Sequence, residues 1–354
     1  MSALLSSGLV LGGLGLVFGI LLAVAGKVFH VPVDPKAVAA REALPGANCG
    51  ACGFAGCDAY AAAVAQGEAP VNACPVGGAA VAEQLAAIMG VDAGESQQRM
   101  VAVVRCQGTA ERCRAKFSYQ GIHDCLAASL VADGNKACHY ACLGQGTCVR
   151  ACQFGAIEID ERQKMAVVNT DKCTGCQQCV AACPKKVLAM QPAAAPVRIL
   201  CRAAEEGKLV SDNCKVGCIG CELCGHACKF GAITFVNHLP VIDREKCVGC
   251  MMCAEVCPTM AIWGDFDNRL EAVIDAETCI GCGLCKRACQ FEAIVGERKQ
   301  HHDVTEACTG CGQCAAKCPK DCITMRVRRH MRDEFAKVGT TTPVVKASMP
   351  VTLD

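Results

Sequence analysis

Cysteines 247, 250, 253 and 257, followed by Pro258, constrain this chain more than any other stretch. Three cysteines at i, i+3 and i+6 wrap a loop around one metal cluster. The fourth, four residues on, points away toward a second cluster. Thiolates are soft ligands that favour iron–sulfur clusters, zinc or Cu(I), and zinc sites more often pair C-x2-4-C with a distant second pair. The C-x2-C-x2-C-x3-C run recurs at Cys173, Cys176, Cys179 and Cys183, and at Cys218, Cys221, Cys224 and Cys228. It returns at Cys279, Cys282, Cys285 and Cys289, and at Cys308, Cys311, Cys314 and Cys318.

The 354 residues include 34 cysteines, far above ordinary globular usage. Disulfide frameworks belong to short secreted domains, whereas this chain is long and its cysteines fall at ligand spacings. Only 4% of residues are aromatic, with one Trp, so clusters are expected to serve as core and metal binding to supply folding free energy. A net charge of +1 argues against a nucleic-acid partner, for which a basic chain is the rule.

Residues 1–26 carry no charge, and Lys27, Lys36 and Arg41 follow them. About 20 apolar residues span a bilayer core, so residues 1–28 read as a transmembrane anchor. The positive-inside rule places the remainder in the cytoplasm, on the inner face of the cytoplasmic membrane. A cleaved signal peptide is the competing reading, at Ala23, Val24 and Ala25, but a basic n-region is missing and the apolar run is long. Gly8, Gly12, Gly15 and Gly19 have the spacing that lets a second helix approach closely.

Residues 29–91 form a unit of their own. Cys49, Cys52, Cys57 and Cys74 lie among Gly46, Gly50, Gly53 and Gly56, small residues that let backbone amides reach cluster sulfurs. Helices are expected over 58–65 and 79–89. The set fits one [4Fe–4S] cluster; a structural zinc would use similar ligands. Residues 92–137 read as a connecting segment that begins polar and includes a buried strand over 100–105.

From Cys138 the chain repeats itself. Residues 138–157 lie over 214–233 without a gap: Cys142, Cys148 and Cys152 match Cys218, Cys224 and Cys228, while Gln145 stands where the middle ligand Cys221 is. Cys138, which matches Cys214, is expected to replace that missing ligand. Each run has a partner behind it, with strand-like segments such as 156–160 and 232–236 between. The expected layout is three two-cluster modules, at 138–190, 197–266 and 270–325, with small hairpins and a helix after each run. Ala156, Ile157, Ala232, Ile233, Ala261, Ile262, Ala293 and Ile294 sit where they would cover cluster faces. The stretch 191–196, with Pro192 and Pro196, reads as a stiff extended linker. Residues 326–354 form a tail that opens with Arg326, Arg328, Arg329, His330 and Arg332, a solvated end or a contact for lipid or a partner. The fold class is therefore α+β: one transmembrane helix, a small four-cysteine domain and three tandem ferredoxin-like modules, with about seven [4Fe–4S] clusters at four cysteines each. Cys106, Cys113, Cys125, Cys201, Cys214 and Cys322 remain outside that count; an eighth site using the first three is an open alternative.

Many clusters in one chain make a path for electrons, and all-cysteine clusters tend toward low potentials. The chain has no G-x-G-x-x-G, P-loop or H-E-x-x-H, so no catalytic site for an organic substrate is expected. The charge-free N-terminal stretch, the Cys49–Cys57 loop with Cys74 and Pro75, the segment from Lys116 to Cys125, and Cys142 with Cys148 together resemble the B subunit of the Rnf complex, the ion-translocating ferredoxin:NAD oxidoreductase. The resemblance covers roughly residues 1–260. It implies a protein that takes electrons from soluble ferredoxin and passes them to membrane and flavin subunits of a translocase, held to the lipid bilayer by its first helix. Longer members carry two ferredoxin modules, so the third goes beyond them. The alternative is a membrane-tethered polyferredoxin serving a hydrogenase or dehydrogenase without ion pumping.

Overall fold

The computed structural model describes residues 2–28, 34–95 and 97–328, with side chains from residue 11 onward. The chain divides into two units, Met1–Gln97 and Gln98–Asp354.

In the first unit, helix α1 (Ser2–Val28) has Lys27 as its one charge. Its stretch Leu11–Val28 has a mean hydropathy of 2.0 and buries nothing against the rest of the chain. Among the described residues it is the one helix long and apolar enough to cross a membrane. Helix α2 (Pro35–Ala43) starts where Asp34 accepts the Lys36 amide at 2.8 Å, with Pro35 in the first turn, a placement that costs no hydrogen bond. Helix α3 (Cys57–Ala65) and helix α4 (Gly78–Met89) pack on it through Ala40, Leu44, Tyr60, Val64 and Leu85. Alanines at Ala61, Ala63 and Ala86 let the backbones approach. The Arg41 Nε–Asp58 Oδ1 pair, at 2.7 Å, ties α2 to α3. Both expected helices are present, each starting one residue earlier than the sequence suggested.

The second unit uses one plan three times. Strands β1 (Met100–Val104), β2 (Ile157–Asp160), β3 (Met165–Val168) and β4 (Leu188–Pro192) form the first repeat. Strands β5 (Val197–Ile199), β6 (Ile233–Val236), β7 (Leu239–Ile242) and β8 (Ile262–Gly264) form the second. The third has β9 (Leu270–Ile274), β10 (Ile294–Val295), β11 (Asp303–Val304) and β12 (Ile323–Val327). In each, the first strand pairs antiparallel with the last and the middle two form a hairpin. A cysteine run lies before the hairpin and another after it, each with a short helical turn. The strands are too short to stand alone; cysteines and aliphatic side chains make three separate cores between them.

Strand β1, drawn from the connecting segment, completes the first repeat by pairing Val104 with Leu188. The stretch 191–196 is extended only at its start and is not a free linker. Gln191 and Pro192 end β4, and the Ala195 amide closes a turn on the Pro192 carbonyl at 3.1 Å. The first two repeats therefore abut, sharing Val101, Val103 and Leu200 against Trp263. The second and third repeats are joined by Arg269, 4% exposed, which pairs with Glu255 and donates to the Cys250 carbonyl at 3.2 Å. The start of the basic tail is structural: Arg326 lies in β12, and Arg328 holds Glu271 at 3.1 Å and the Cys308 carbonyl at 2.9 Å. Arg329, His330 and Arg332 lie outside the described residues.

Candidate metal centres

The N-terminal site is a tight loop whose glycines take left-handed backbone. Gly46, Gly50, Gly53 and Gly56 all have positive φ, from 71° to 112°, a region that costs other residues roughly 1–2 kcal/mol. The turn is anchored by Asn48, whose Oδ1 accepts the Cys57 amide at 2.8 Å. Tyr60, 1% exposed, reaches from α3 to the returning chain: its hydroxyl donates to the Pro70 carbonyl at 2.8 Å and accepts from the Ala73 amide at 3.2 Å. Cys74 is thereby brought back beside Cys52 and Cys49, whose charges add to burial in raising its pKa. The Gly77 amide donates to Cys74 Sγ at 3.4 Å.

In the second unit each run's last cysteine crosses to the other run's first three. Cys279, Cys282, Cys285 and Cys318 line one cavity. Cys289 lines another with Cys308, Cys311 and Cys314. Cys228 does so with Cys247, Cys250 and Cys253. Cys257 acts on Cys218 and Cys224, which also feel Cys221, and Cys152 acts on Cys179 beside Cys173 and Cys176. Burial first, and neighbouring cysteines next, push Cys179 and Cys253 up to about 12 and Cys224 up to about 11. Such thiols stay protonated at neutral pH until a cation takes the place of the proton, so metal loading releases protons.

Backbone amides are aimed at the sulfurs. Ala156, Ala232 and Ala293 each donate to the preceding run's last cysteine, Cys152, Cys228 and Cys289, at 3.3 Å. Ala102 and Ala272 donate from the outer strands to Cys173 and Cys308 at 3.4 and 3.5 Å. Ala156, Ala232, Ala293 and Ala261 are all at most 3% exposed, and Ile157, Ile262 and Ile294 at most 6%. Amide donors and a dry aliphatic wall are what hold a cluster's potential.

The first repeat departs from expectation in where it places one cysteine. Cys148 is surrounded by Cys142, Cys125 and Cys183. Cys138 is drawn off to a different core, beside Cys106, Cys113 and Cys201. A polar clasp holds Cys125 in place. Asp124 Oδ1 caps the helix Cys125–Leu130, accepting from Leu126 and Ala127 at 2.8 and 3.0 Å. Its Oδ2 takes the Thr147 hydroxyl at 2.8 Å and Arg150 at 2.6 Å, and the Thr147 hydroxyl also accepts the Cys125 amide at 2.7 Å. The clasp carries Cys125 to the side of the repeat where Gln145 stands in place of a cysteine; His123 meets Gln145 at 3.3 Å. Sequence spacing could not place Cys125 here because it stands on a loop outside the repeat. Cys322 was also left over, and its sulfur lies 3.4 Å from Cys318 Sγ at the edge of the Cys279 cavity.

The thiols ring cavities rather than a point. Four sulfurs about 2.3 Å from one zinc lie about 3.8 Å apart; among the described residues no three His, Cys, Asp or Glu side chains are placed to hold a single ion. All-thiolate donors, amide–sulfur bonds and cavity-sized gaps fit iron–sulfur clusters.

Family matches agree. A family of Fe-S cluster domains matches residues 44–76. Families of 4Fe-4S dicluster domains match 136–187 and 272–325, and a 4Fe-4S binding domain matches 240–263. The chain is also 46% identical over 261 residues to the B subunit of an ion-translocating oxidoreductase complex of Methanosarcina acetivorans, covering 74% of this chain and 98% of that one. The chain belongs to the B-subunit family of ion-translocating oxidoreductase complexes. Other family members align similarly. The B subunit of the Na(+)-translocating ferredoxin:NAD(+) oxidoreductase complex of Acetobacterium woodii is 45% identical, over 73% of this chain and 77% of its own. The proton-translocating counterpart of Clostridium ljungdahlii is 44% identical, over 65% and 81%. The dicluster match at 272–325 extends past the region shared with these family members.

Proposed function

We propose that this chain is the iron–sulfur electron-transfer subunit of a membrane-bound ion-translocating ferredoxin:NAD oxidoreductase, taking electrons from reduced soluble ferredoxin and passing them to membrane and flavin subunits. The observation that carries the reading is the match to the B-subunit family of such complexes over nearly the whole length of the Methanosarcina protein. Three two-cluster modules and the N-terminal site give about seven [4Fe–4S] clusters, at four cysteines each. Cys125, not Cys138, completes the first module's leading site with Cys142, Cys148 and Cys183; the other ligands are those the spacing assigned. Helix α1 anchors the chain, and the remainder lies on the cytoplasmic side.

Bound [4Fe–4S] clusters supply one-electron redox chemistry at low potential. The residues of this chain do the rest. Their thiolates hold the metal, their amides donate to sulfur, and the alanines and isoleucines keep water away. Cys250 and Cys311, assigned to different modules, are close enough for their charges to interact. Phe230 and Phe291, each lining a cysteine cavity, meet with ring centroids 6.2 Å apart. Both contacts support electron passage between the second and third modules.

The test uses the full chain, purified with its membrane partners without oxygen and mixed with reduced ferredoxin. Bleaching of the cluster absorbance, followed by reduction of NAD, is expected. Reduction of the clusters with no flavin subunits present and a hydrogenase in their place would refute the translocase reading. Lack of bleaching would refute electron transfer from ferredoxin. Deleting residues 270–354 should slow bleaching if the third module receives the electrons; an unchanged rate overturns that assignment.

A further inference from the structure

Five cysteines that the ferredoxin pattern leaves unused or misplaces meet in one place. Cys106, Cys113, Cys138, Cys201 and Cys214 line a single cavity between the first and second repeats. All are free thiols. Their positions follow the internal repeat. Cys106 and Cys201 each stand two residues after an outer strand, β1 and β5. The residues before them make the same contact: Arg105 donates to Val187 at 2.7 Å and Leu200 to Ala261 at 2.8 Å. Cys138 and Cys214 each stand four residues before the first cysteine of a run. The third repeat has Ala276 and Asp275 at these places, so these extra thiols occur only at the junction of the first two repeats.

The cavity has the features of the assigned centres. Cys106 Sγ accepts the amides of Gly108 and Cys142 at 3.4 and 3.5 Å. Cys201 Sγ accepts those of Ala203 and Cys218 at 3.5 and 3.2 Å. Two of these donors, Cys142 and Cys218, are themselves ligands of the neighbouring modules, one on each side. The cavity is also cationic. Arg105 and Arg202 line it, and Lys136 beside it, 4% exposed and donating to the Gly108 carbonyl at 2.6 Å, lies close enough to act on Cys113 and Cys142. Arg105 lines the cavity with its Nε buried and without a hydrogen-bond partner. Buried positive charge of this kind costs free energy unless something anionic answers it. A four-thiolate iron–sulfur cluster is an anion with the matching donor preference.

We propose that this cage holds a further [4Fe–4S] cluster, bound by Cys106, Cys138, Cys201 and one thiol of the Cys113–Cys214 pair, and that it joins the first two ferredoxin modules electronically. Cys113 and Cys214 face each other across an isolated antiparallel bridge and share a hydrogen bond, so one ligates and the other stands beside it. One electron enters from one module and leaves to the other, and the site returns to its starting state. The inference rests on the electron-transfer reading above.

The experiment is iron, zinc and acid-labile sulfide per chain on the anaerobically purified full-length protein, with electron paramagnetic resonance after reduction. Wild type should hold about 32 irons, from eight clusters of four, and the Cys106→Ser/Cys201→Ser variant should lose about four irons and four sulfides while the other signals persist. Should that variant fold poorly, Cys113→Ser and Cys214→Ser are compared: one should lose about four irons and the other none. Wild type near 28 irons with no loss in the variants overturns the proposal but leaves the electron-transfer reading standing. Zinc in the cage, or a Cys113–Cys214 disulfide in the anaerobic protein, overturns it equally. Little iron in wild type would sink both.

Discussion

Replacing Tyr60 by Phe removes one oxygen atom and should loosen the N-terminal metal centre. The ring is buried, packed at 5.5 Å from Phe54, and Phe preserves that packing. What is lost is the pair of bonds that fold the Cys74 segment back onto α3, to Pro70 and Ala73. At about 0.5–1.5 kcal/mol each, two hydrogen bonds contribute about 1–3 kcal/mol. Because Cys74 rides on that segment, the loss acts on local opening of this site rather than on the whole chain. When opening is faster than capture, iron release follows the open population, and each 1.4 kcal/mol is tenfold. Release of the first four irons to a chelator should therefore accelerate about 5- to 150-fold, with the ferredoxin-type clusters unaffected. The pH dependence has a fixed sign. Burial raises the Tyr60 hydroxyl from 10.0 to about 12, so its contribution is complete below pH 10 and is lost as pH rises from 10 through 12. Tyr60→Phe should abolish that alkaline loss. Equal release rates in the two proteins would show that the hydroxyl does not hold Cys74 in place.

Other substitutions probe the second unit. Cys125→Ser should remove about four irons, one cluster, from the first module, and Asp124→Ala should weaken the same site by freeing its clasp; retention of that cluster in both, measured by iron content and paramagnetic resonance, would refute Cys125 as ligand. Gly310 has φ +70° and a Cβ there would sit 2.1 Å from the Leu270 carbonyl, so Gly310→Ala combines a left-handed penalty with overpacking, about 2–5 kcal/mol; loss of the Cys308–Cys314 cluster is expected, and a fully loaded variant would contradict the close approach. Arg269→Met breaks the bonds that join the second and third repeats at a cost of about 2–3 kcal/mol, below the usual figure for a fully buried pair because Glu255 keeps 27% of its side chain in water. It should release the third repeat to limited proteolysis, and unchanged cleavage would place the junction elsewhere.

What the sequence made legible was set by local geometry. Four cysteines in a C-x2-C-x2-C-x3-C run specify a loop, a helical turn and a crossing ligand within about a dozen residues, so the runs, the hairpins between them and the aliphatic cover could be located from spacing. The glycines of the Cys49–Cys57 loop were also visible, although the structure shows that their left-handed backbone, as much as their size, is why they are there. The pairing of β1 with β4 and β5 with β8 was not legible. Those partners lie far apart in sequence, and their alternation is too short to carry a signal.

The thiols that spacing could not place share one physical cause: their positions depend on contacts between segments, not within them. Aligning the repeats matched Cys138 to Cys214 correctly, yet the matched pair faces the junction between repeats rather than the cavity inside each one. Beside Gln145 stands Cys125 instead, on a loop from outside the repeat that Asp124 ties to Thr147 and Arg150 within it. A repeat supplies two kinds of recurring geometry, the one inside it and the one where it meets its neighbour. Cys221 separates the two: the second repeat keeps its full run and still carries Cys201 and Cys214. Spare thiols that merely compensated for a lost ligand would have no reason to be there. Their presence beside an intact run, in the same cavity as Cys106 and Cys138, is what assigns them to the junction.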